Sequence, residues 1–132
     1  MSVDTSAFLR PIIGEYLSGV CFVMDYVQLQ FSCSGLSVFN PLTVSAGGHR
    51  WGFGDAGWRD SLCERISRVV RRAACDESEI RIEFEDDSIF RVSLRNEDYS
   101  GPEAFTFESP GAPMVVGQCA KNKKGGPEGP PL

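Results

Sequence analysis

The sequence predicts a single α+β domain over residues 1–116. It would be an antiparallel sheet built from two similar helix-plus-strands units, with two short helices packed on it. Three observations carry this. First, the apolar pattern reads twice, over approximately residues 12–40 and 61–95. Leu17-Ser18-Gly19-Val20, Val27-Gln28-Leu29-Gln30-Phe31 and Leu36-Ser37-Val38 are echoed by Ile66-Ser67-Arg68-Val69, Ile80-Arg81-Ile82-Glu83-Phe84 and Phe90-Arg91-Val92. Second, the clearest strands alternate apolar and polar residues, the signature of a sheet covered on one face. Third, 132 residues with 42% hydrophobic content and nine Phe suffice for one core, because folding at this size hides roughly two-thirds of the unfolded chain's surface.

The elements follow in order. Asp4 and Ser6 offer N-cap oxygens, and residues 7–17 suit a first helix if Pro11 falls in its first turn. Ile12, Ile13, Tyr16 and Leu17 would be its buried stripe. Gly19 stops it. Residues 20–24 and 26–32 read as strands joined at Asp25, and Ser34-Gly35 as the turn before a strand over 36–39. Asn40-Pro41 closes the first unit, and residues 45–57 are Gly-rich loop holding the only His, His49. Ser61 and Glu64 have capping-box spacing, which starts a second helix near Asp60. The echo of the first unit ends that helix near Ser67 and makes 69–75 a strand. Asp76-Glu77-Ser78 is a turn. Residues 79–85 alternate, with Ile80, Ile82 and Phe84 inward. Asp86-Asp87-Ser88 turns the chain into a strand whose inner face is Phe90, Val92 and Leu94. Residues 103–108 and 113–116 read as short final strands. The Gly-, Pro- and Lys-rich stretch 117–132 reads as a disordered tail.

Charge and cysteine usage narrow the function classes. The last 16 residues hold three Lys and one Glu, a local charge of +2, so the body through Val116 carries −7 against −5 for the whole chain. An acidic body repels phosphates and argues against nucleic acid; it favours a basic partner or plain solubility. Five Cys without a CxxC pair read as core thiols of a cytoplasmic protein, not a zinc site. Residues 1–10 show no signal-peptide pattern, and no apolar run reaches membrane-spanning length.

Gly52-Phe53-Gly54-Asp55-Ala56-Gly57 matches G-x-G-x-x-G, with Asp76 about where a ribose-binding acid would lie. The residues before it do not form a long buried strand, the helix after it is short, and the strands elsewhere alternate. A dinucleotide fold has its sheet buried on both faces. A flexible loop using glycine at positive φ is the competing reading. A single His with no local orienting group supplies neither a nucleophile pair nor a three-His metal site. No catalytic set, cofactor site or metal site is therefore expected, and the chain reads as a non-enzyme.

Two surface features remain. Glu83, Glu85, Asp86 and Asp87 form an acidic hairpin, readable as a solvated face or as a docking patch for a basic partner. Arg59, Arg65, Arg68, Arg71 and Arg72 are the nearby cations that could bridge to it. Trp51, Phe53 and Trp58 flank the Gly-rich loop as interface anchors or as aromatics tucked onto the core.

Residues 25–31, the Gly-rich turn into Arg59-Asp60-Ser61-Leu62-Cys63, and residues 93–104 resemble small, uncharacterised bacterial proteins. These are single α+β domains that look like immunity proteins of polymorphic toxin systems. The resemblance covers most of residues 12–116 and carries no catalytic residue. It implies a cytosolic protein that binds and neutralises a cognate toxin, the partner surface being basic. The candidate contacts are Glu83, Glu85, Asp86 and Asp87 with Trp51 and Trp58. A small-molecule or nucleotide-binding domain using the 52–57 loop, and a self-associating module pairing through an edge strand, are the alternatives.

Overall fold

The computed structural model describes residues 7–118. It overturns the α+β expectation: the chain is sheet-dominated, with two antiparallel five-stranded sheets around one core. The strands are β1 (Leu17–Val23), β2 (Tyr26–Phe31), β3 (Ser34–Val38), β4 (Leu42–Ala46), β5 (His49–Trp51), β6 (Val70–Cys75), β7 (Glu79–Phe84), β8 (Ile89–Ser93), β9 (Glu103–Glu108) and β10 (Val115–Gln118). One six-residue α-helix, α1 (Trp58–Cys63), and 3₁₀ turns at Ala7–Ile12 and Asn96–Asp98 are the helical elements among the described residues.

The strand orders are β1-β2-β3-β9-β10 and β5-β4-β8-β7-β6. Each half of the chain therefore builds a three-stranded meander and sends its last hairpin across to the other half's sheet. The registers match position for position. Leu17 pairs with Phe31 and Val70 with Phe84, each followed by a bulge. Leu29 pairs with Leu36 and Ile82 with Phe90. Leu36 and Val38 then meet Phe107 and Phe105, while Phe90 and Val92 meet Val44 and Leu42. All of these core positions are buried, because period-two alternation turns each strand's apolar set to one side.

A twofold relation joins the sheets at one edge. The N–H of Gly14 donates to Val70 O at 2.8 Å, and that of Ser67 to Leu17 O at 2.7 Å. Leu17 N–H donates to Arg68 O at 3.0 Å, and Val70 N–H to Glu15 O at 2.8 Å. The Tyr16–Val69 bridge lies between these pairs. At the far side, Phe39 N–H donates to Ala104 O and Ser93 N–H to Pro41 O.

Several local expectations change for physical reasons. Residues 7–17 are not one helix: a 3₁₀ turn ends at Ile12, Gly14 takes φ +87°, and residues 14–17 pair with 67–70. Leu9, Ile12 and Leu17 are buried, but Ile13 and Tyr16 are exposed. The register matches Leu17 with Val70, four residues beyond its supposed echo at Ile66. Residues 45–57 are not all loop, since β4 and β5 form a hairpin there. The residues Leu42-Thr43-Val44 alternate as a strand should, and that was the missed signal. α1 starts at Trp58 behind Gly57, and Ser61 lies inside it, its Oγ donating to Trp58 O at 2.7 Å instead of capping.

The thiols are not core thiols. Cys21, Cys33 and Cys63 are exposed and only Cys75 is partly buried; Cys119 lies outside the described residues. The final strand reaches Gln118, with Gly117 opposite Phe105. A side chain at Gly117 would collide with the Phe105 ring. The reading of a disordered tail otherwise falls on residues 119–132, outside the described residues. No helix among the described residues is long and apolar enough to cross a membrane.

Candidate functional site

The two halves share their core but differ at their surfaces. The acidic hairpin belongs to the second half, and three of its four charges, Glu83, Asp86 and Asp87, are already paired with arginines of the same half. Glu83, only 14% exposed at its side chain, meets Arg81 at 3.2 Å, Arg71 at 3.6 Å and Arg72 at 4.0 Å. Asp86 meets Arg65 at 3.1 Å and Arg68 at 3.4 Å, and Asp87 meets Arg71 at 2.8 Å. Glu85 accepts the Val69 N–H at 3.3 Å. Partial burial alone would raise the Asp86 carboxyl. Hydrogen bonds from Ser88 and the charges of Arg65 and Arg68 outweigh that and hold it below the usual carboxylate range. The hairpin ties the β7–β8 turn to the segment following α1, and Arg65, itself buried, is anchored by it.

The Gly-rich loop folds on its own carboxylate. Gly52 N–H donates to Asp55 Oδ2 at 2.7 Å, Asp55 N–H to Gly52 O at 3.0 Å, and Trp58 N–H to Asp55 O at 3.1 Å. An incoming phosphate would meet the Asp55 carboxylate, which already holds the Gly52 N–H. Trp51 is half-buried, stacked on His49 with ring centroids 5.6 Å apart. Trp58 is 5% exposed, its indole N–H bonded to Leu42 O at 2.7 Å. Trp51 and Trp58 thus lie against the fold, and the exposed aromatic of this loop is Phe53. Among the described residues no three His, Cys, Asp or Glu side chains are grouped to hold a metal.

The open surface lies at the end of the core where the β1–β2 hairpin, the β3–β4 connection and α1 converge. A cleft of about 460 Å³ opens there, within the range usual for ligand sites. Phe22, Val27, Val38 and Leu42 form its apolar interior, with Tyr26, Phe39, Phe53 and Trp58 around them. Phe53 stands edge-on to Trp58 at 5.2 Å and Phe22 at 5.9 Å. Two large apolar side chains stand free at its rim: Met24 is 99% exposed and Phe53 70%. Arg59 lays its guanidinium 5.2 Å from the Phe22 ring centroid, a cation–π distance.

Asn40 lines the cleft at 5% exposure. Pro41 has no N–H, so the Ser93 carbonyl, whose own N–H reaches Pro41 O, lacks a ladder donor from that residue. The Asn40 side-chain amide supplies one at 2.7 Å. Donation to a carbonyl fixes which end of the amide is nitrogen, and Oδ1 is then buried without a partner. In the other half the matching residue is Leu94, followed at the next strand by Ala104 in the place of Pro41. There Phe8 stacks on Phe105 at 5.6 Å. The sequence held a sign of this site in its run of aromatics, but Phe22, Met24 and Asn40 come together only through the swapped connections.

No family model, curated protein or solved structure matches the chain.

Proposed function

We propose that this protein is a non-enzymatic binding protein that engages a partner protein through the apolar cleft and its rim, Met24 and Phe53. The observation that carries this is the exposure of those two side chains beside a ready apolar cleft. Monomeric surfaces rarely gather free large apolar groups around a concavity unless something docks there. Anchors of this kind, ringed by polar groups that exclude water, dominate interface energetics. The acidic body favours a basic partner, in line with the resemblance to toxin-neutralising proteins, and we take the cognate partner to be a toxin.

This moves the working surface away from the acidic hairpin, three of whose four carboxylates are paired with arginines, and away from Trp51 and Trp58 as free anchors. The test is protection of cells in co-expression against a toxin domain that the parent chain neutralises. The double variant M24D/F53D changes only exposed positions and keeps its folded stability within about 0.5 kcal/mol per site. Loss of protection at unchanged stability supports the reading; full protection overturns it.

A further inference from the structure

We infer that the cleft receives a cationic side chain of the partner, arginine above lysine, beside an apolar anchor. This rests on the binding role of the cleft, and adds the chemistry of what enters it. The walls are aromatic: Phe22, Tyr26, Phe39 and Trp58. Apart from the Arg59 guanidinium at the Phe22 face and the Tyr26 and Ser100 hydroxyls, the hydrogen-bonding groups left over on the cleft are acceptors. The Trp58 N–H is bonded to Leu42 O and the Asn40 amide nitrogen to Ser93 O. What remains is the buried, unpartnered Asn40 Oδ1 and two carboxylates on the same cleft, Asp25 and Asp98.

Neither carboxylate takes part in an ion pair among the described residues, a state they share with other surface carboxylates such as Glu85; what sets them apart is their place on the cleft, where the nearest cation acting on Asp98 is Arg95. Asp98 accepts one bond, from Ser93 Oγ at 2.5 Å, and a carboxylate retains further acceptor sites after that. A guanidinium offers only donors, five of them, on a flat cation that stacks on aromatic faces. An ammonium offers three donors and no flat face. The aliphatic stem of either would lie along the apolar interior. Arg59 shows that the Phe22 face takes a guanidinium, and it pairs with no carboxylate among the described residues. It therefore acts as an internal competitor for the same wall.

The experiment uses the full chain, ¹⁵N-labelled, titrated with N-acetyl-Phe-Arg-amide and with its neutral isostere N-acetyl-Phe-citrulline-amide. The backbone amides of Met24, Phe53, Arg59 and Asp98 are followed. The arginine peptide is expected to give saturable shifts at these amides, with at least a tenfold lower Kd than the citrulline peptide. The lysine analogue is expected to fall between them. D25N/D98N, whose second substitution keeps a side-chain oxygen able to accept from Ser93, is expected to reduce the arginine peptide to the citrulline level, and R59A to strengthen it. Equal binding of the arginine and citrulline peptides overturns the inference while leaving the apolar docking role intact. Absence of shifts at the cleft amides with the arginine peptide overturns it too. Failure of the docking role itself is read separately, from full protection by M24D/F53D.

Discussion

Ser67 is the residue at which the twofold relation and the sequence disagree. It takes φ +79°, and its counterpart across the Tyr16–Val69 bridge is Gly14 at φ +87°. Both donate their N–H to the opposite half, so both backbones are held in the left-handed region by the same paired hydrogen bonds. A residue with a Cβ in that region costs about 1–2 kcal/mol relative to glycine. Glycine returns roughly 0.5–1 kcal/mol of that through its larger unfolded-state entropy. S67G should therefore stabilise the protein by about 0.5–1 kcal/mol. G14S should destabilise it by a similar amount, and a Cβ at Gly14 meets nothing within 4 Å, so the backbone dihedral alone is tested. Urea unfolding followed by tryptophan fluorescence measures both through the midpoint at constant m. For a domain of this size the shift in Tm is about 2–5 °C in opposite directions. If both substitutions prove neutral, the paired left-handed turns, and the twofold seam they close, are not as described.

Three further outcomes follow from the same geometry. The depressed carboxyl of Asp86 contributes stability that is present above its unfolded value near 4 and is lost as pH falls through its lower folded value. D86N should cost about 1–3 kcal/mol at pH 7 by leaving the buried Arg65 with the exposed Glu64 as its remaining carboxylate, and should flatten the loss of stability below about pH 4 seen with the parent in acid titration by circular dichroism. Burial, aided by Asp76, pushes the Cys75 thiol up to about 11, so an aromatic disulfide reagent at pH 8 should modify the exposed Cys21, Cys33 and Cys63 fast and Cys75 slowly, resolved by peptide mass spectrometry. N40L should destabilise by about 1–3 kcal/mol because the Ser93 carbonyl loses its donor. P41A added to it should recover most of the loss by restoring a backbone N–H opposite the Ser93 carbonyl; a lack of rescue in denaturant melts would refute that account of Asn40.

Much of the sheet was legible in the sequence, and the reasons are specific. Val27, Leu29 and Phe31, and Ile80, Ile82 and Phe84, alternate strictly, and such strands show which face is inward without any partner. What period-two patterning cannot show is which strand lies beside which. Leu42 and Val44 belong beside β8, and Phe105 and Phe107 beside β3, so one α+β sheet was expected where two exchanged β-sheets exist. The capping-box spacing at Ser61 misplaced α1 because Gly57, in the left-handed region, is the N-cap, four residues before Ser61. The four-residue slippage of the Ile66 echo arose because Ile66 stands partly exposed in the turn between α1 and β6, while the position that matches Leu17 in the sheet is Val70. The acidic hairpin stood out in the sequence because its charges are consecutive, but the arginines that answer them are held opposite by the β6–β7 pairing. The cleft was hidden because its members come from four separate segments.

The central claim is that the working surface is the cleft at the open end of the core and not the acidic hairpin. Isothermal titration of the cognate partner with three forms of the protein tests it most directly: the parent, M24D/F53D, and D87N, whose exposed side chain pairs, among the described residues, with Arg71 alone. Cleft binding predicts that M24D/F53D weakens the complex by about 30-fold or more, the equivalent of losing a hot spot of at least 2 kcal/mol, while D87N stays within about threefold of the parent. Undiminished affinity in M24D/F53D together with a large loss in D87N would contradict it and return the interface to the hairpin.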